Sequence, residues 1–222
     1  LSHPSIHIVI ERRFDHDVDH HVDGDVDDVR AEIAGPHRAK FARRLDGHGQ
    51  VFGIKFRPAM FRAWWGSSTE ALTDNAVPLS RLPRVDVDAL MAAASSSLPF
   101  ATQLADVDAL LRAALPVQDP HDIAIRDLVE AAAVDVDLVR LDDLVARSGL
   151  PLRTLQRRFK ASVGVSAKWV LQRYRLHEAA EALRASTPPT LADLAARLGY
   201  ADQAHFARDF KATIGVSPGH WR

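Results

Sequence analysis

The chain has no cysteine. That one absence removes disulfides, thiolate metal sites and every cysteine nucleophile. It is consistent with a reducing compartment. Long apolar runs are also missing: nothing approaches the roughly 20 residues that a membrane-spanning helix needs, so no membrane association is expected. The opening "LSHPSIHIVI" lacks a basic leader ahead of an apolar core, and no signal peptide is read there. It also lacks an initiator Met, so a fragment or processed form, with a truncated amino terminus, is expected. Neither the nucleophile-elbow pattern G-x-S-x-G nor the zinc-protease pattern H-E-x-x-H occurs. A hydrolase would need such a nucleophile with a base in reach, and no enzymatic role or cofactor is expected.

What is present looks balanced until the chain is divided. The 222 residues sum to a net charge of −1. Residues Leu150–Arg222 hold 12 Lys/Arg against 5 Asp/Glu, a surplus of +7, and the preceding 149 residues hold 16 against 24, a deficit of −8. An acidic first part joined to a basic last third points to two jobs, one of them with a polyanion.

The first third reads as β. Short, partly alternating runs at Ser5–Glu11, Val29–Ala34, Arg38–Leu45 and Val51–Phe56 are bounded by Asp, Gly, Pro and His. Ala59–Gly66 reads as a short helix ending at glycine, with Ser68 or Thr69 capping a further turn through Leu72. Between Phe14 and Val29 lies "FDHDVDHHVDGDVDDV", dense in Asp and His. As a calcium loop it fails in both registers. Starting at Asp15 places His20 where glycine is needed and Val26 where glutamate is needed; starting at Asp19 places Arg30 at the closing ligand. The stretch is read as a solvated loop joining two strands, and no metal site is expected.

From about Val85 the spacing becomes helical. "PVQDPHD" (Pro116–Asp122) reads as a linker. After it, helices are expected at Ile123–Ala133, Arg140–Arg147, Leu152–Val163, Ala167–Ala185, Leu191–Leu198 and Gln203–Thr213, with a last turn at Pro218–Trp221. Pro151 and Pro218 suit first helical positions, "STPP" (Ser186–Pro189) stops the long helix, and Thr190 with Asp193 forms a capping pair. The fold class is therefore α+β: a β-rich amino-terminal domain over residues 1–83, a helical linker region over 84–120, and an all-α domain over 121–222.

That last domain spells itself twice. "DLVARSGL" (Asp143–Leu150) matches "DLAARLGY" (Asp193–Tyr200) at an offset of 50. Beyond the glycines the offset is 51, pairing Leu155 with Phe206, Arg157 with Arg208, Phe159 with Phe210, Lys160 with Lys211 and Gly164 with Gly215. Each unit is a helix, a glycine turn and a second helix, which is the helix-turn-helix plan. Leu141, Leu144 and Val145 are placed to face Leu155, Phe159 and Val163. Leu191, Leu194, Ala195 and Leu198 are placed to face Phe206, Phe210 and Ile214.

The other face of each second helix carries Arg153, Gln156, Arg157 and Lys160 in the first unit and Gln203, His205, Arg208 and Lys211 in the second. Arginine pairs in two-pronged fashion with guanine and glutamine with adenine. The lysines lie where phosphates would be met. A basic helical bundle would show such residues too, and an exposed helix histidine such as His205 needs no role. The matched pairs at corresponding positions of both units favour a DNA reader. The intervening segment, 19 residues as helix, is about 28 Å long. Successive major grooves on one side of a duplex lie about 34 Å apart, so one chain can place both units on one duplex.

"LVARSGLPLRTLQRRFKASVGVSAKW", "RLHEAAEAL" and "LADLAARLGYADQAHFARDFKATIGVSPGHW" resemble the DNA-binding domain of the AraC/XylS family of bacterial transcription regulators, over nearly half of the chain. The resemblance implies recognition helices at Leu152–Val163 and Gln203–Thr213, with base contacts from Arg153, Gln156 and Arg157 and from Gln203, His205 and Arg208. Pro151 stands where the family commonly has Ser, Ala167 replaces the proline that its counterpart Pro218 supplies, and Ala204 and Ala207 are small. "LSHPSIHIVIE", "GHGQVFGIKFRPAMFRAWWG" and "ALTDNAVPLSRL" are similar to the β-rich amino-terminal domain of uncharacterised members. The implied partners are double-stranded promoter DNA, RNA polymerase, a small-molecule effector at the amino-terminal domain and a second copy in a homodimer. The implied location is cytoplasmic, on the nucleoid. Phe61, Trp64 and Trp65 are candidates for an effector pocket, with core packing the favoured alternative. Alkyl-transfer DNA-repair proteins carry the same kind of DNA-binding module but need an acceptor cysteine, which this chain lacks. A ligand-binding or protein-interaction module with an idle DNA domain is the remaining alternative, and the arginines on both second helices oppose it.

Overall fold

A computed structural model of the chain describes residues 4–14, 28–39 and 48–221. Four antiparallel strands come first: β1 (His7–Phe14), β2 (Asp28–Ala34), β3 (His48–Lys55) and β4 (Ala76–Pro78), in the order β3-β1-β2-β4. Ile8 lies opposite Ile33 and Ile54, and Ile10 opposite Ala31 and Phe52. Side chains alternate along a strand, so Ile8, Ile10, Ile33 and Phe52 are all buried.

Helices α2 (Val87–Ser95) and α3 (Phe100–Ala113) close this core with Leu90, Ala94 and Val107. Short helix α1 (Arg62–Trp65) ends at Gly66, and Ser68 caps a 3-10 turn over Thr69–Leu72 by accepting from the Glu70 N–H. Phe61 and Trp64 are buried in the same core, and Trp65 stacks on Phe61 at 6.4 Å. Phe61 and Trp64 thus pack in the interior, and Trp65 lies half-buried against them.

The remaining helices are α4 (Pro120–Val134), α5 (Leu141–Ser148), α6 (Leu152–Val163), α7 (Ala167–Ala182), α8 (Leu191–Arg197) and α9 (Gln203–Ile214), with a closing 3-10 turn at Pro218–His220. They form two further cores. One gathers α4, α5, α6 and the start of α7; the other gathers the rest of α7 with α8 and α9. Among the described residues no helix is long and apolar enough to cross a membrane, and no group of three or more His, Asp or Glu is placed to hold a metal.

Several expectations are corrected. The strand expected at Arg38–Leu45 is absent at Arg38 and Ala39, which lie in a bend, and its other residues lie outside the described ones. So does most of the Asp/His stretch, although the strands flanking it, β1 and β2, do pair. The helix expected over Ala59–Gly66 is only the single turn of α1. Pro151 is the N-cap of α6 rather than its first residue: its backbone is extended, and its carbonyl accepts from Leu155. Strand β4 was not anticipated. It has three residues, one of them Pro78, and sits on the sheet edge, where a missing donor costs no ladder bond.

The amino-terminal domain docks on the first helical unit. A helix leaves its last carbonyls without intrahelical donors. At the end of α6 two hydroxyls from the 3-10 turn region supply them: Thr69 Oγ1 donates to the Ala161 carbonyl at 3.1 Å and Thr73 Oγ1 to that of Gly164 at 2.6 Å. Arg57 forks onto Glu130 at 2.8 and 2.7 Å.

Candidate nucleic-acid interface

In the first unit the Asp143 carboxylate accepts the backbone N–H groups of Val139 and Arg140, at 3.1 and 2.6 Å, and so fixes the start of α5. In the second, the Thr190 side chain accepts the Asp193 N–H at 3.1 Å and caps α8. Each first helix is followed by a left-handed glycine, Gly149 (φ 64°) or Gly199 (φ 73°), which turns the chain into the second helix. Asp202 caps α9 by accepting the His205 N–H at 2.7 Å.

The glycines differ in their surroundings. A Cβ on Gly149 would meet open space, whereas one on Gly199 would lie 3.1 Å from Val139 Cγ1 of the first unit. The two units therefore touch at this turn. Gly149→Ala is expected to cost the left-handed penalty alone, about 1–2 kcal/mol. Gly199→Ala is expected to cost more, because Val139 must also yield. Urea midpoints of the two variants check this order.

Packing sets which faces remain outside. On α6, Leu155, Phe159, Ser162 and Val163 are buried. Arg153, Gln156, Arg157 and Lys160 follow i, i+3, i+4, i+7 and are exposed, forming one stripe. On α9, Phe206 and Phe210 are buried, while Gln203, His205, Arg208 and Lys211 are exposed. All eight residues singled out in the sequence thus lie on the outer surface of their helices, four on each. Two are already engaged. Lys160 Nζ is 3.0 Å from Glu70 Oε1 of the amino-terminal domain. The His205 ring meets Tyr200 edge-on at 5.1 Å, with its Nε2 3.6 Å from Asp209.

Helix α7 carries the first unit on Val170 and Leu171 and the second on Leu176, Ala179, Ala180 and Leu183. Its 16 residues span about 24 Å, three residues short of the expected Ala167–Ala185. Polar contacts also fix the second unit to it. Gln172 donates to Asp209 of α9 and, at 3.5 Å, to the Tyr200 hydroxyl. Burial pushes that hydroxyl up to about 12, so it stays a neutral phenol at any working pH. Trp221 Nε1 donates to the Ala180 carbonyl at 2.9 Å.

Sequence reasoning missed Arg175, since an arginine on a helix reads as solvated. It is buried. Its Nη2 donates to the Ala132 and Asp135 carbonyls at the end of α4, at 2.8 and 2.7 Å, and its Nη1 meets Glu178 at 2.5 Å. A cation at a helix C-terminus matches the macrodipole, and this one bolts α4 to α7. The only sequence signal was that Arg175 falls on the apolar side of α7, next to Leu176.

Residues 144–222 match the family described as "Helix-turn-helix domain", and residues 1–78 match a domain of unknown function, DUF6597. The chain is similar to the transcriptional activator NphR of Rhodococcus sp, at 31% identity over 62% of this chain and 42% of the relative. It is also similar to the HTH-type transcriptional activator AarP of Providencia stuartii, at 37% identity over 37% of this chain and 60% of the relative. The chain thus spans less than two thirds of the length of these curated relatives. Among solved structures it is similar to the C-terminal domain of AraT, a response regulator from Geobacillus stearothermophilus, at 30% identity over 47% of this chain and 84% of that one, with a TM-score of 0.38. The chain thus carries at one end a helix-turn-helix domain similar to that of these transcription regulators, and at the other a β-rich domain that matches a family of unknown function.

Proposed function

We propose that the chain is a sequence-specific DNA-binding regulator of transcription in which α6 and α9 enter two successive major grooves of one duplex. The observation that carries this is the repeated geometry. Each second helix buries its central apolar residues, Leu155 and Phe159 in α6 and Phe206 and Phe210 in α9, and turns an arginine, a glutamine and a lysine outward. Phosphate neutralisation supplies affinity and base-edge contacts supply specificity. Arg153, Gln156 and Arg157 would read one half-site, and Gln203, His205 and Arg208 the other. Lys160 and Lys211 would meet phosphates.

The further parts of this reading are promoter DNA and RNA polymerase as partners, a cytoplasmic, nucleoid-bound location, and modulation through the amino-terminal domain by an effector or by dimerisation. The hydroxyls of Thr69 and Thr73 on the end of α6, and Glu70 on Lys160, support modulation. They tie the first reading helix to the domain that would sense the signal.

In vitro selection of genomic fragments by the purified protein tests the proposal. One shared motif, with two half-sites about 10 base pairs apart, is the expected result. Unselective recovery of DNA would reduce the repeat to a basic scaffold and sink the proposal.

A further inference from the structure

Between the two units lies a cleft of about 500 Å³ that the reading above leaves unused. Its walls come from the start of α5, from α7 and from the turn that leads into α9. Three cations line it, Arg140, Lys168 and Arg175.

Two of them stand where the fold gains nothing from a cation. Arg140 is the N-cap of α5, a position that prefers Ser, Thr, Asp or Asn. Its counterpart in the repeat, Thr190, caps α8 with its own hydroxyl. Lys168 is the second residue of α7, at the positive end of the helix dipole, which disfavours a cation. Among the described residues neither has an ion-pair partner. Arg175 adds an independent sign: its side chain is only 5% exposed, and its buried Nε has no hydrogen-bond acceptor. Local rules broken without a structural return mark functional positions.

The nearby carboxylates are mostly engaged. Asp143 accepts two backbone N–H groups, Glu178 meets Arg175, and Asp209 accepts from Gln172. Asp142 is exposed beside Arg140. Arg140 and Lys168 therefore remain available to an outside anion.

Position in the fold says which anion. His205, on the outer face of α9, also lines the cleft. The cleft begins at the start of α5, and the first helix of a helix-turn-helix unit crosses the DNA backbone. A duplex read in two successive major grooves turns the intervening minor groove, with its phosphate strands, toward whatever joins the two readers. Here that is α7 and this cleft. The geometry points to a third DNA contact, resting on the function proposed above: Arg140 and Lys168 hold backbone phosphates of the minor-groove segment between the half-sites. The contact reads no base. It adds affinity on any duplex.

The test is a salt titration of binding by the full chain, on the selected site and on random duplex, comparing wild type with Arg140→Gln/Lys168→Gln. Each phosphate contact contributes about 0.9 to the slope of log affinity against log salt. The double variant should therefore lower the slope by about 2 and weaken both duplexes by the same factor, with base preferences unchanged. Phosphate-ethylation interference between the half-sites should disappear with it. Arg140→Thr, which copies the Thr190–Asp193 cap, should melt at a higher temperature and still bind DNA more weakly; that combination separates folding from binding. An unchanged slope with specific binding intact would overturn the cleft contact and leave the proposed function standing, as would a loss confined to the selected site. Failure of the wild type to bind DNA in a salt-dependent way would remove both.

Discussion

Arg157→Ala and Arg208→Ala will each weaken binding to the selected site by about 1–3 kcal/mol and blunt the preference for one base in their own half-site. The two arginines sit on separate helices, in units with separate cores. Their effects should therefore nearly add, and the double variant stands to lose about 2–6 kcal/mol. Binding to random duplex should fall much less, because base-edge contacts contribute nothing there. Both side chains are exposed, and among the described residues neither has an ion-pair partner. Folding thus loses nothing when they are truncated, and the melting temperature should hold. Titration of the single and double variants against the selected and the random duplex decides the matter. Equal loss on both would make these residues phosphate contacts and end their assignment as base readers.

That these arginines would face outward was legible in the sequence, because the repeat aligns them. Gly149 with Gly199, Asp143 with Asp193, and Phe159 with Phe210 fix a common frame, and the helical period then separates buried from exposed positions. The first three strands were legible by alternation, as at Ile8, Ile10 and Phe52. Strand β4 was not, since three residues show no period and Pro78 argues against a strand. The seam between the domains was hidden for another reason. Arg57, Arg62, Thr69, Thr73 and Glu130 look like ordinary surface residues one at a time, and only folding brings them to their partners. Arg175 was hidden on the same ground. Lys160 was placed correctly on the outer face of α6, yet nothing local to it foretold Glu70, ninety positions earlier.

The strongest single point of that seam is Asp122. It is the third residue of α4, 2% exposed, and it ties three elements together. Arg62 of α1 donates to its Oδ2 at 2.9 Å, and Ser162 of α6 donates to its Oδ1 at 2.5 Å. Losing one member of a buried ion pair costs about 3–5 kcal/mol when the other charge is stranded. Arg62 is not fully stranded: its side chain is 35% exposed and it also reaches Asp119 at 3.3 Å. The buried Ser162 hydroxyl, by contrast, would be left without its acceptor. Asp122→Ala should therefore destabilise the chain by about 2–4 kcal/mol. Ser162→Ala removes the hydroxyl together with its need for a partner, and should cost only about 1 kcal/mol. In the double variant the Ser162 penalty cannot be counted twice, so the sum of the single losses must exceed the double loss. Urea unfolding of the four proteins measures this. Simple additivity would mean that Asp122 and Ser162 act independently, and that the carboxylate does not join the amino-terminal domain to α6.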